Sequence, residues 1–479
     1  MNQSRRQLLK RAGGAIFAST LLKAAEASPV MATLSAYMAA AQNRALPPEV
    51  IEKTKHHILD TFAAMLSGSS LAPGKLGIAF ARAHQGERVA TVAASDILCG
   101  PMEAAMANGM LAHSDETDDS HAPSSSHPGC AVIPAALAAA ENFGNVDGTR
   151  FLRAVTLGYD IGPRVTMTLG AGPFQTETHR AAHSIAGTFG AAAAAASAAG
   201  LSAKQMRWVL DYASQQASGI AAWQRDTEHI EKSLVFAGLP ARNGVTAALL
   251  IQLGGTGVED VFSGADNFLL ANAPKADPAG LVDKLGVRYE VMRTNIKKWT
   301  VGSPIQAPLD AIEDIRLHHP FEAGDVRKVV VRLGTSGATT VNNREMPDIS
   351  LQHMVAVMLL DKTATFAAAH DRSRMQDPAL LRERAKVQLI PDEALERLSP
   401  KRVAIVEITF ADGNTLTERV EAVRGTAENP MTREEVVTKA RDLMTPVIGP
   451  AKCSGLIEKV LALESVKNIR ELRPLLQKV

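Results

Sequence analysis

The polar residues best suited to chemistry lie together in one segment, between residues 113 and 127. The segment reads His-Ser-Asp-Glu-Thr-Asp-Asp-Ser-His-Ala-Pro-Ser-Ser-Ser-His and holds four carboxylates and three imidazoles. Proton transfer and metal binding both need several titratable groups that converge on one point. A solvated loop is the alternative, but the apolar stretches on both sides hold this segment between two buried elements. The segment therefore predicts a site for acid–base chemistry.

A metal centre is the main rival interpretation of the same segment. Asp118 and Asp119 are adjacent and are expected to point apart, and neither an HExxH motif nor a two-His-one-carboxylate spacing is evident. The three cysteines, Cys99, Cys130 and Cys453, are widely spaced and form no CxxC pair that would suggest zinc, a redox motif or an iron–sulfur cluster. We therefore expect no metal and no cofactor, and we expect no dependence on disulfides.

The bulk composition limits the classes of protein to which the chain can belong. At 479 residues it is too long for one hydrophobic core, because single cores stop growing at roughly 250 to 300 residues. The 46% hydrophobic and 21% charged residues are typical of a soluble globular protein. Lys+Arg 51 against Asp+Glu 50 gives a net charge of +1, too small a field to gather nucleic acid or an anionic membrane. We expect two domains and no nucleic-acid partner.

The elements that must position the polar segment are mostly helices. From about residue 35 to 270 the sequence is rich in Ala, Leu and Met, punctuated by Gly and Pro, which predicts an all-helical domain. The pattern changes after about residue 288. Residues 326–333 alternate in the manner of a half-buried strand, while residues 403–410 and 415–420 flank an Asp-Gly turn and predict a hairpin. This part of the chain is expected to form a smaller α+β domain.

The last part of the chain returns to helix. Thr432 is a good N-cap, with Glu434 and Glu435 in the first turn after it. Because these last helices can pack back on the first domain, the sequence predicts a mainly α fold with a large discontinuous all-helical domain and a smaller α+β domain. The predicted boundaries are 1–27 for an export signal, 28–288 and 425–479 for the helical domain, and 289–424 for the α+β domain.

The first residues carry the pattern of a twin-arginine export signal. Arg5-Arg6 precedes an apolar stretch, Ala12–Leu22, which is followed by Ala25-Glu-Ala27 as an A-x-A cleavage site. An amphipathic leader or a membrane anchor is the alternative, but about 11 apolar residues fall short of the ~20 needed to span a bilayer. We expect a mature protein that starts at Ser28, lies in the periplasm and has no membrane partner after removal of the signal.

The polar segment is also the first of several motifs that follow one another in the order of a known family. His113, Glu116, Asp118, Asp119, Ser120 and His127-Pro128 fall on a pattern of His-x-x-Asp-x-Asp-Asp-Thr followed by His-Pro. Three further matches come in the family's order, namely residues 158–162 (Gly-Tyr-Asp-Ile-Gly), residues 187–190 (Gly-Thr-Phe-Gly) and Glu231-Lys232 leading to residues 241–244 (Ala-Arg-Asn-Gly). From about residue 33 to its C-terminus the chain resembles the MmgE/PrpD family.

The resemblance implies an activity and an architecture. Members include dehydratases of 2-methylcitrate and decarboxylases of cis-aconitate. These members look like homodimers in which each chain has a helical domain and an α+β lid, and they need no metal or organic cofactor. It therefore implies a cofactor-independent lyase that eliminates water from a small di- or tricarboxylate. Decarboxylation or epimerisation of a related acid uses the same groups. A non-catalytic periplasmic binding protein for polycarboxylates is a further alternative, and a structural envelope protein is disfavoured by the clustered titratable groups.

The resemblance also assigns roles to single residues. The catalytic set is His127, Glu116, Ser120, His183 and Lys232. The substrate-binding set is His113, Asp118, Arg242 and Gln306. Within these sets His127 is the expected acid or base, His183 the complementary proton carrier, and Lys232 the clamp on a substrate carboxylate.

Several positions depart from the family pattern. Glu116 replaces an aspartate, Ser120 replaces a threonine, and one extra residue separates Ser120 from His127. A second family histidine falls at an alanine flanked by His179 and His183, of which we favour His183. Gln306 stands where the family has a later histidine, which changes both charge and proton inventory, so the substrate can differ from those of the named activities.

Overall fold

The computed structural model describes residues 27–478 of the chain. The predicted export signal, with Arg5-Arg6, lies outside the described residues. Within the described part the protein is mainly helical, with one small mixed sheet. This is the predicted fold class.

Residues 29–252 form the bulk of the helical structure. The helices are α1 (Pro29–Ala40), α2 (Pro48–Gly68), α3 (Ala72–Ala83), α4 (Pro101–Ala112), α5 (Gly129–Phe143), α6 (Gly148–Leu169), α7 (Ala171–Thr178), α8 (Ala182–Ala199), α9 (Ala203–Gln216), α10 (Ile230–Ser233) and α11 (Leu239–Gln252). Their starts follow the sequence: Asp147 caps α6 by accepting from Arg150 N, and Ser202 forms a capping box with Gln205 at α9.

The region predicted to be all-helical also contains a short ribbon. Strands β1 (Ala90–Thr91) and β2 (Leu98–Cys99) pair antiparallel between α3 and α4. The β-branched residues around them, among them Val89, Thr91 and Val92, favour extended backbone over helix. The ribbon is therefore a local departure from the helical pattern.

Helix α8 lies at the centre of this region and packs mainly against α6 and α11. Its residues Ala182 and Ser184–Ala198 are all buried. A Cβ at Gly158 of α6 would lie 2.8 Å from the carbonyl oxygen of Gly190 and 2.5 Å from Val132. Only glycine permits this close approach of the two helix backbones. The alanine-rich sequence thus forms a thin, tightly packed central helix.

Residues 433–476 return to the same core. Helix α12 (Phe268–Asn272) follows α11 in the sequence. The C-terminal helices, which come after the α+β part, are α19 (Arg433–Leu461) and α20 (Arg473–Leu476). The predicted N-cap is confirmed: Thr432 accepts from Glu435 N, and Glu435 completes a capping box. Lys439 of α19 pairs with Asp60 of α2 at 2.6 Å, which joins the end of the chain to its beginning.

The α+β part contains a four-stranded mixed sheet. Its elements are α13 (Ser303–His318), β3 (Val326–Gly334), α14 (Thr335–Val341), α15 (Leu351–Asp361), α16 (Phe366–His370), α17 (Pro378–Arg384), β4 (Val387–Asp392), α18 (Glu393–Glu396), β5 (Ala404–Phe410) and β6 (Thr415–Val420). The strand order is β4-β3-β5-β6, with β3–β4 parallel and the other pairs antiparallel. The predicted strand at 326–333 and the β5–β6 hairpin are confirmed, the latter with Gly413 at φ 90° in its turn.

The described residues bury two hydrophobic clusters. One runs from Met31 to Ile296 and resumes from Met431 to Leu476, while the other runs from Trp299 to Val423. We call residues 27–298 and 424–478 the body and residues 299–423 the lid. The predicted domain boundaries stay a prediction. By length and apolar composition alone Ile230–Gln252 could cross a membrane, but more than half of it is buried in the body, as expected of a core helix.

Candidate active site

The polar segment forms the connection between α4 and α5, and it is buried. Residues 113–121 are each at most 5% exposed. Its backbone is tied to distant parts of the chain: Ser120 pairs with Asn295 through N···O distances of 3.0 and 2.8 Å, and Lys439 Nζ donates to Thr117 O at 3.0 Å. A solvated loop would have neither the burial nor these anchors. The segment is a rigid part of the body.

Asp118 holds two histidines at once. Its Oδ2 lies 2.9 Å from His113 Nδ1 and its Oδ1 lies 3.2 Å from His127 Nδ1. Burial raises the pKa of Asp118, but His113 and His127 outweigh burial and hold it well below its usual value. Burial lowers the pKa of His113, which is therefore neutral near pH 7. The His127 side chain is 11% exposed, whereas the side chains of the other two are fully buried.

The same three residues form a donor set that could hold a metal ion. One donor atom each from His113, Asp118 and His127 lies within 4.8 Å of the others. The sequence spacing did not reveal this two-His-one-carboxylate group, because the turn after α4 folds Asp118 back on His113. Lys297 Nζ, however, lies 3.8 Å from Asp118 Oδ1, and a fixed ammonium beside the carboxylate opposes a cation there. The donor set is better matched to protons than to a divalent ion.

Glu116 is the second buried carboxylate of the site and it holds two lysines. Its Oε1 accepts from Lys232 Nζ, and its Oε2 lies 3.4 Å from Lys297 Nζ, which also donates to the Glu116 backbone carbonyl at 2.7 Å. Burial raises the pKa of Glu116, but the two lysines hold it well below its usual value. Glu116 is therefore ionised and fixes two ammonium groups in place.

Lys232 is positioned by an irregular stretch of helix. It lies on α10, which continues through one π-helical turn, Leu234–Gly238, into α11. Lys232 N donates to Asp226 Oδ2 at 2.9 Å, and its ammonium lies 5.6 Å from the ring centroid of Trp223 and 5.2 Å from that of Phe236. Such π turns are frequent at functional sites. Lys232 thus lies directly before an irregular turn of helix and donates to Glu116.

His183 lies next to His127, whereas His179 does not. The His183 ring is 5.4 Å from the His127 ring and stacks on Phe236 at 3.9 Å, and its Nδ1 lies 3.3 Å from Gln175 Oε1. Burial, followed by His127 and Lys232, lowers the pKa of His183 well below its usual value. His179 is exposed at the end of α7 with φ 58°. The structure thus brings His183 into the cluster.

Three other predicted residues occupy different surroundings. Ser120 is buried, with its backbone paired to Asn295 as described above. Arg242 is exposed on α11 and is not among the residues that line the cleft between body and lid. Gln306 is buried in the lid, where its amide accepts from Trp299 N and donates to Trp299 O and Val301 O. These bonds occupy the Gln306 amide in holding a loop, so the structure does not bring it to the cleft.

A cleft of about 430 Å³ lies between the body and the lid. Its body wall includes Glu116, Asp226, His229 and Lys232, and its lid wall includes Ser336, Thr339, Thr340, Arg344 and Arg402. His113 and His127 follow behind the cleft: the His113 ring lies 5.1 Å from that of His229 and 5.0 Å from that of His127. The cleft thus presents the Lys232 ammonium and the His229 ring in its wall, with the His113 and His127 rings behind His229.

Two residues of the site, Lys297 and His229, were missed from the sequence. Lys297 is buried beside Glu116, from which it is 181 positions away in sequence. His229 is 4% exposed and has φ 62°, an uncommon backbone conformation for a histidine. Its Nε2 lies 3.9 Å from Glu116 Oε1, and burial lowers its pKa well below the usual value. Its place three residues before Lys232 was the one available signal.

Comparison with known proteins agrees with this architecture. Residues 32–280 match the MmgE/PrpD N-terminal domain and residues 299–464 match the MmgE/PrpD C-terminal domain. The cis-aconitate decarboxylase-like protein oryM of Aspergillus oryzae is 25% identical over 90% of this chain and 94% of its own. Cis-aconitate decarboxylase of Homo sapiens is 27% identical over 90% and 91%, and that of Mus musculus is 26% identical over 89% and 89%. The chain belongs to the MmgE/PrpD family.

Proposed function

We propose that this protein is a cofactor-independent lyase that acts on a small di- or tricarboxylate. One observation carries the proposal: Asp118 orients two imidazoles directly beside the two lysines that Glu116 fixes. A carbon acid next to a carboxylate needs a proton carrier and cationic groups within reach of the same small molecule. Similarity to relatives named cis-aconitate decarboxylase supports the class of substrate.

Elimination of water requires a base, an acid and a clamp. His183 takes the proton from carbon, because burial lowers its pKa and keeps its imidazole neutral. The carbon–oxygen bond breaks as the double bond forms, and the departing hydroxyl leaves as water with a proton from His127, whose Nδ1 is bound by Asp118 and whose other ring nitrogen is left for the substrate. Lys232, which lines the cleft, binds a substrate carboxylate. Positioned acids and bases typically contribute ~10²–10⁴-fold each.

Decarboxylation is the second candidate reaction, and the names of the relatives favour it. In that reaction a carbon–carbon bond breaks, CO₂ leaves, and the electron pair left on carbon takes a proton from an imidazolium. The lysines stabilise the developing negative charge in the same place. Epimerisation uses removal and return of one proton by two carriers, and His127 and His183 supply such a pair.

Proton NMR of the purified protein with a panel of acids tests the proposal. The panel contains 2-methylcitrate, citrate, cis-aconitate and malate, each followed with and without prior chelation. With mass analysis of the product beside the spectrum, loss of one water indicates dehydration, loss of CO₂ indicates decarboxylation, and exchange with deuterium at one carbon without any loss indicates epimerisation. Binding without turnover favours a polycarboxylate-binding protein instead. An absence of both binding and turnover across the panel contradicts the proposed substrate class.

We also propose export through the twin-arginine pathway, supported by Arg5-Arg6 and the A-x-A site at Ala25–Ala27. Substitution of both arginines by lysine should retain the precursor inside the cell. The measurement is fractionation followed by N-terminal sequencing, with Ser28 expected as the first residue. An unchanged periplasmic yield of the double variant contradicts the proposal.

A homodimer is a further proposal that rests on the family resemblance alone. Sedimentation equilibrium of the mature protein tests it, with an expected mass of twice that of the chain. A concentration-independent monomer contradicts it.

A further inference from the structure

The two walls of the cleft differ in charge. On the body wall the negative charges of Glu116 and Asp226 lie with the positive charge of Lys232, and Lys297 adds a second positive charge just behind Glu116. Among the cleft-lining residues of the lid there is no carboxylate, but there are two guanidinium groups, those of Arg344 and Arg402. The body wall is therefore close to neutral, and the lid wall is positive.

The two lid arginines differ from other arginines nearby in that no carboxylate contacts them, although the charge of Glu116 acts on Arg402 and partly offsets the lowering of its pKa by burial. Within residues 27–478 no carboxylate oxygen lies within 4.0 Å of the guanidinium of Arg344 or Arg402. Arg374 of the lid, by contrast, pairs with Asp361, and its Nη1 and Nη2 lie 2.6 and 2.9 Å from the two carboxylate oxygens. Arg344 is also held in place, since its Nη1 donates to Thr340 O at 3.2 Å. The cleft thus keeps two guanidinium groups available to an anion.

The neighbouring hydroxyls of the lid wall cannot take over this task. Ser336 Oγ donates to Glu396 Oε1 at 2.7 Å, Thr339 Oγ1 donates to Thr335 O at 2.9 Å, and Thr340 Oγ1 donates to Ser336 O at 2.9 Å. These three hydroxyl protons are already used, so their oxygens present lone pairs, which repel a carboxylate. The guanidinium groups are therefore the charged donors that this wall offers to an anion, and Ser303 lines the same cleft.

We propose that Arg344 and Arg402 bind the substrate carboxylate that is remote from the reacting carbon. Guanidinium forks match carboxylates in a bidentate geometry, whereas a lysine acts as a point charge. Lys232 on the body holds the carboxylate next to the reacting carbon. The site then selects acids with at least two carboxylates, which bridge the body and the lid, and it discriminates against monocarboxylates. This inference rests on the proposed function for the position of the reacting carbon.

The test measures binding of a substrate analogue that cannot react. Propane-1,2,3-tricarboxylate has no hydroxyl to lose and no double bond beside its carboxylates, so calorimetric titration reports binding alone. Butyrate is the monocarboxylate for comparison. The variants are Arg344→Gln, Arg402→Gln and the double variant. Arg397→Gln is the matched control, because Arg397 is an exposed lid arginine that pairs with Glu393 at 3.8 Å.

We expect each single variant to weaken binding of the tricarboxylate about tenfold and the double variant more, with unchanged thermal midpoints. Butyrate binding and the Arg397→Gln control should not change. On a reacting substrate, the same variants should raise KM and leave kcat within a few-fold. Wild-type affinity for the tricarboxylate in the double variant overturns the inference, as does wild-type protein that binds butyrate as tightly as the tricarboxylate.

The two proposals can fail separately. If the tricarboxylate binds through the arginines but no acid of the NMR panel reacts, the lyase proposal is contradicted and the role of the two arginines stands. If an acid reacts but the double variant binds the tricarboxylate like the wild type, the role of the arginines is contradicted and the lyase proposal stands. If the wild-type protein does not bind the tricarboxylate at all, the role of the arginines is contradicted whatever the panel shows.

Discussion

Asp118 and Asp119 are neighbours in sequence, both are fully buried, and both hold a histidine, yet they belong to two different regions of the molecule. Asp118 binds His113 and His127 beside the cleft. Asp119 faces the core of the body, where its Oδ2 accepts from Tyr159 Oη at 2.5 Å and lies 2.8 Å from His57 Nδ1, and its Oδ1 accepts from Gly129 N at 3.0 Å. The prediction that the two side chains point apart is confirmed.

The difference between the two aspartates lies in what their partners can still reach. The donors on Asp119 are fully enclosed, and a Cβ at Gly129 would come within 2.8 Å of Asp119 Oδ2, so no room is left there for a ligand. Burial lowers the pKa of His57 to about 4, which keeps it neutral. His127 on Asp118 is instead partly exposed. An aspartate–histidine pair is thus a candidate for catalysis when one side of the histidine is accessible to a ligand. When the histidine is enclosed, the pair stabilises the fold.

The most direct test of the different roles of these two pairs is to remove the histidine from each. His127→Ala should lower kcat by about 10³-fold, because a positioned acid–base group is lost. Its thermal midpoint should stay within a few degrees of the wild type. His57→Ala should keep kcat within a few-fold but lower the thermal midpoint clearly, since it leaves a cavity in the core and removes one of the three hydrogen-bond partners of the Asp119 carboxylate. Steady-state kinetics and thermal unfolding of both variants give the result. Full turnover by the His127 variant would falsify the assigned role.

The next largest effect is expected from the aspartates themselves. Asp118→Asn should lower kcat about 10²-fold, because the amide can no longer orient and charge-stabilise two imidazoles. Asp119→Asn should instead destabilise the fold by about 3 kcal/mol, since the donors around it lose a buried acceptor. The same two measurements apply. A large loss of kcat in Asp119→Asn with an unchanged thermal midpoint contradicts the separation of roles.

Local sequence patterns predicted the elements well, because caps, turns and alternation act over a few residues. The Thr432 cap, the Asp-Gly hairpin and the strand at 326–333 are of this kind. The polar segment was recognisable for the same reason, as its titratable groups are close in sequence. The resemblance to the family then added Lys232 and His183 to it, and the structure places both beside the segment.

The rest of the site depended on contacts between distant parts of the chain. Lys297 is 181 positions from Glu116, and no local pattern reports that a lysine will be buried against a carboxylate so far away. Arg242 matched a motif but lies on the exposed side of its helix, which follows the π turn Leu234–Gly238. Motif position alone therefore could not distinguish a side chain that faces the cleft from one that faces away.

A smaller effect on rate is expected for the lysines that Glu116 holds. Lys232→Ala should raise KM about tenfold, which corresponds to ~1.4 kcal/mol, and leave the fold intact because Glu116 keeps Lys297. Lys297→Ala serves for comparison, since Lys297 is buried and also holds the Glu116 carbonyl, so its loss should lower the thermal midpoint. Combining Lys232→Ala with His127→Ala should be non-additive, because one bound substrate couples the two residues. Strictly additive losses speak against a shared site.

The third buried aspartate of the segment, Asp115, extends the comparison to the lid, and here no effect on rate is expected. Asp115 Oδ2 lies 2.9 Å from Nε2 of His370, a lid residue on α16, so this ion pair joins the body to the lid. Burial alone would lower the pKa of His370, but Asp115 and the nearby Asp348 outweigh it and raise the pKa to about 9. A group whose pKa is raised on folding adds stability that is fully present below its unfolded pKa, about 6.5, and is lost as the pH rises through about 9.

The thermal midpoint is therefore the measurement that responds to this pair. The wild-type midpoint should exceed that of His370→Gln by a few degrees at pH 6, and the difference should shrink between pH 6.5 and 9 and vanish above it, because His370 is then neutral in the wild type as well. Taking the difference between the two proteins removes the groups that are not coupled to His370, whereas Asp348, whose pKa burial raises to about 6 and His370 lowers, stays coupled to it. His319→Gln, at an exposed lid histidine, is the control and should follow the wild type at each pH. Parallel curves for wild type and His370→Gln would show that the His370–Asp115 contact carries no charge.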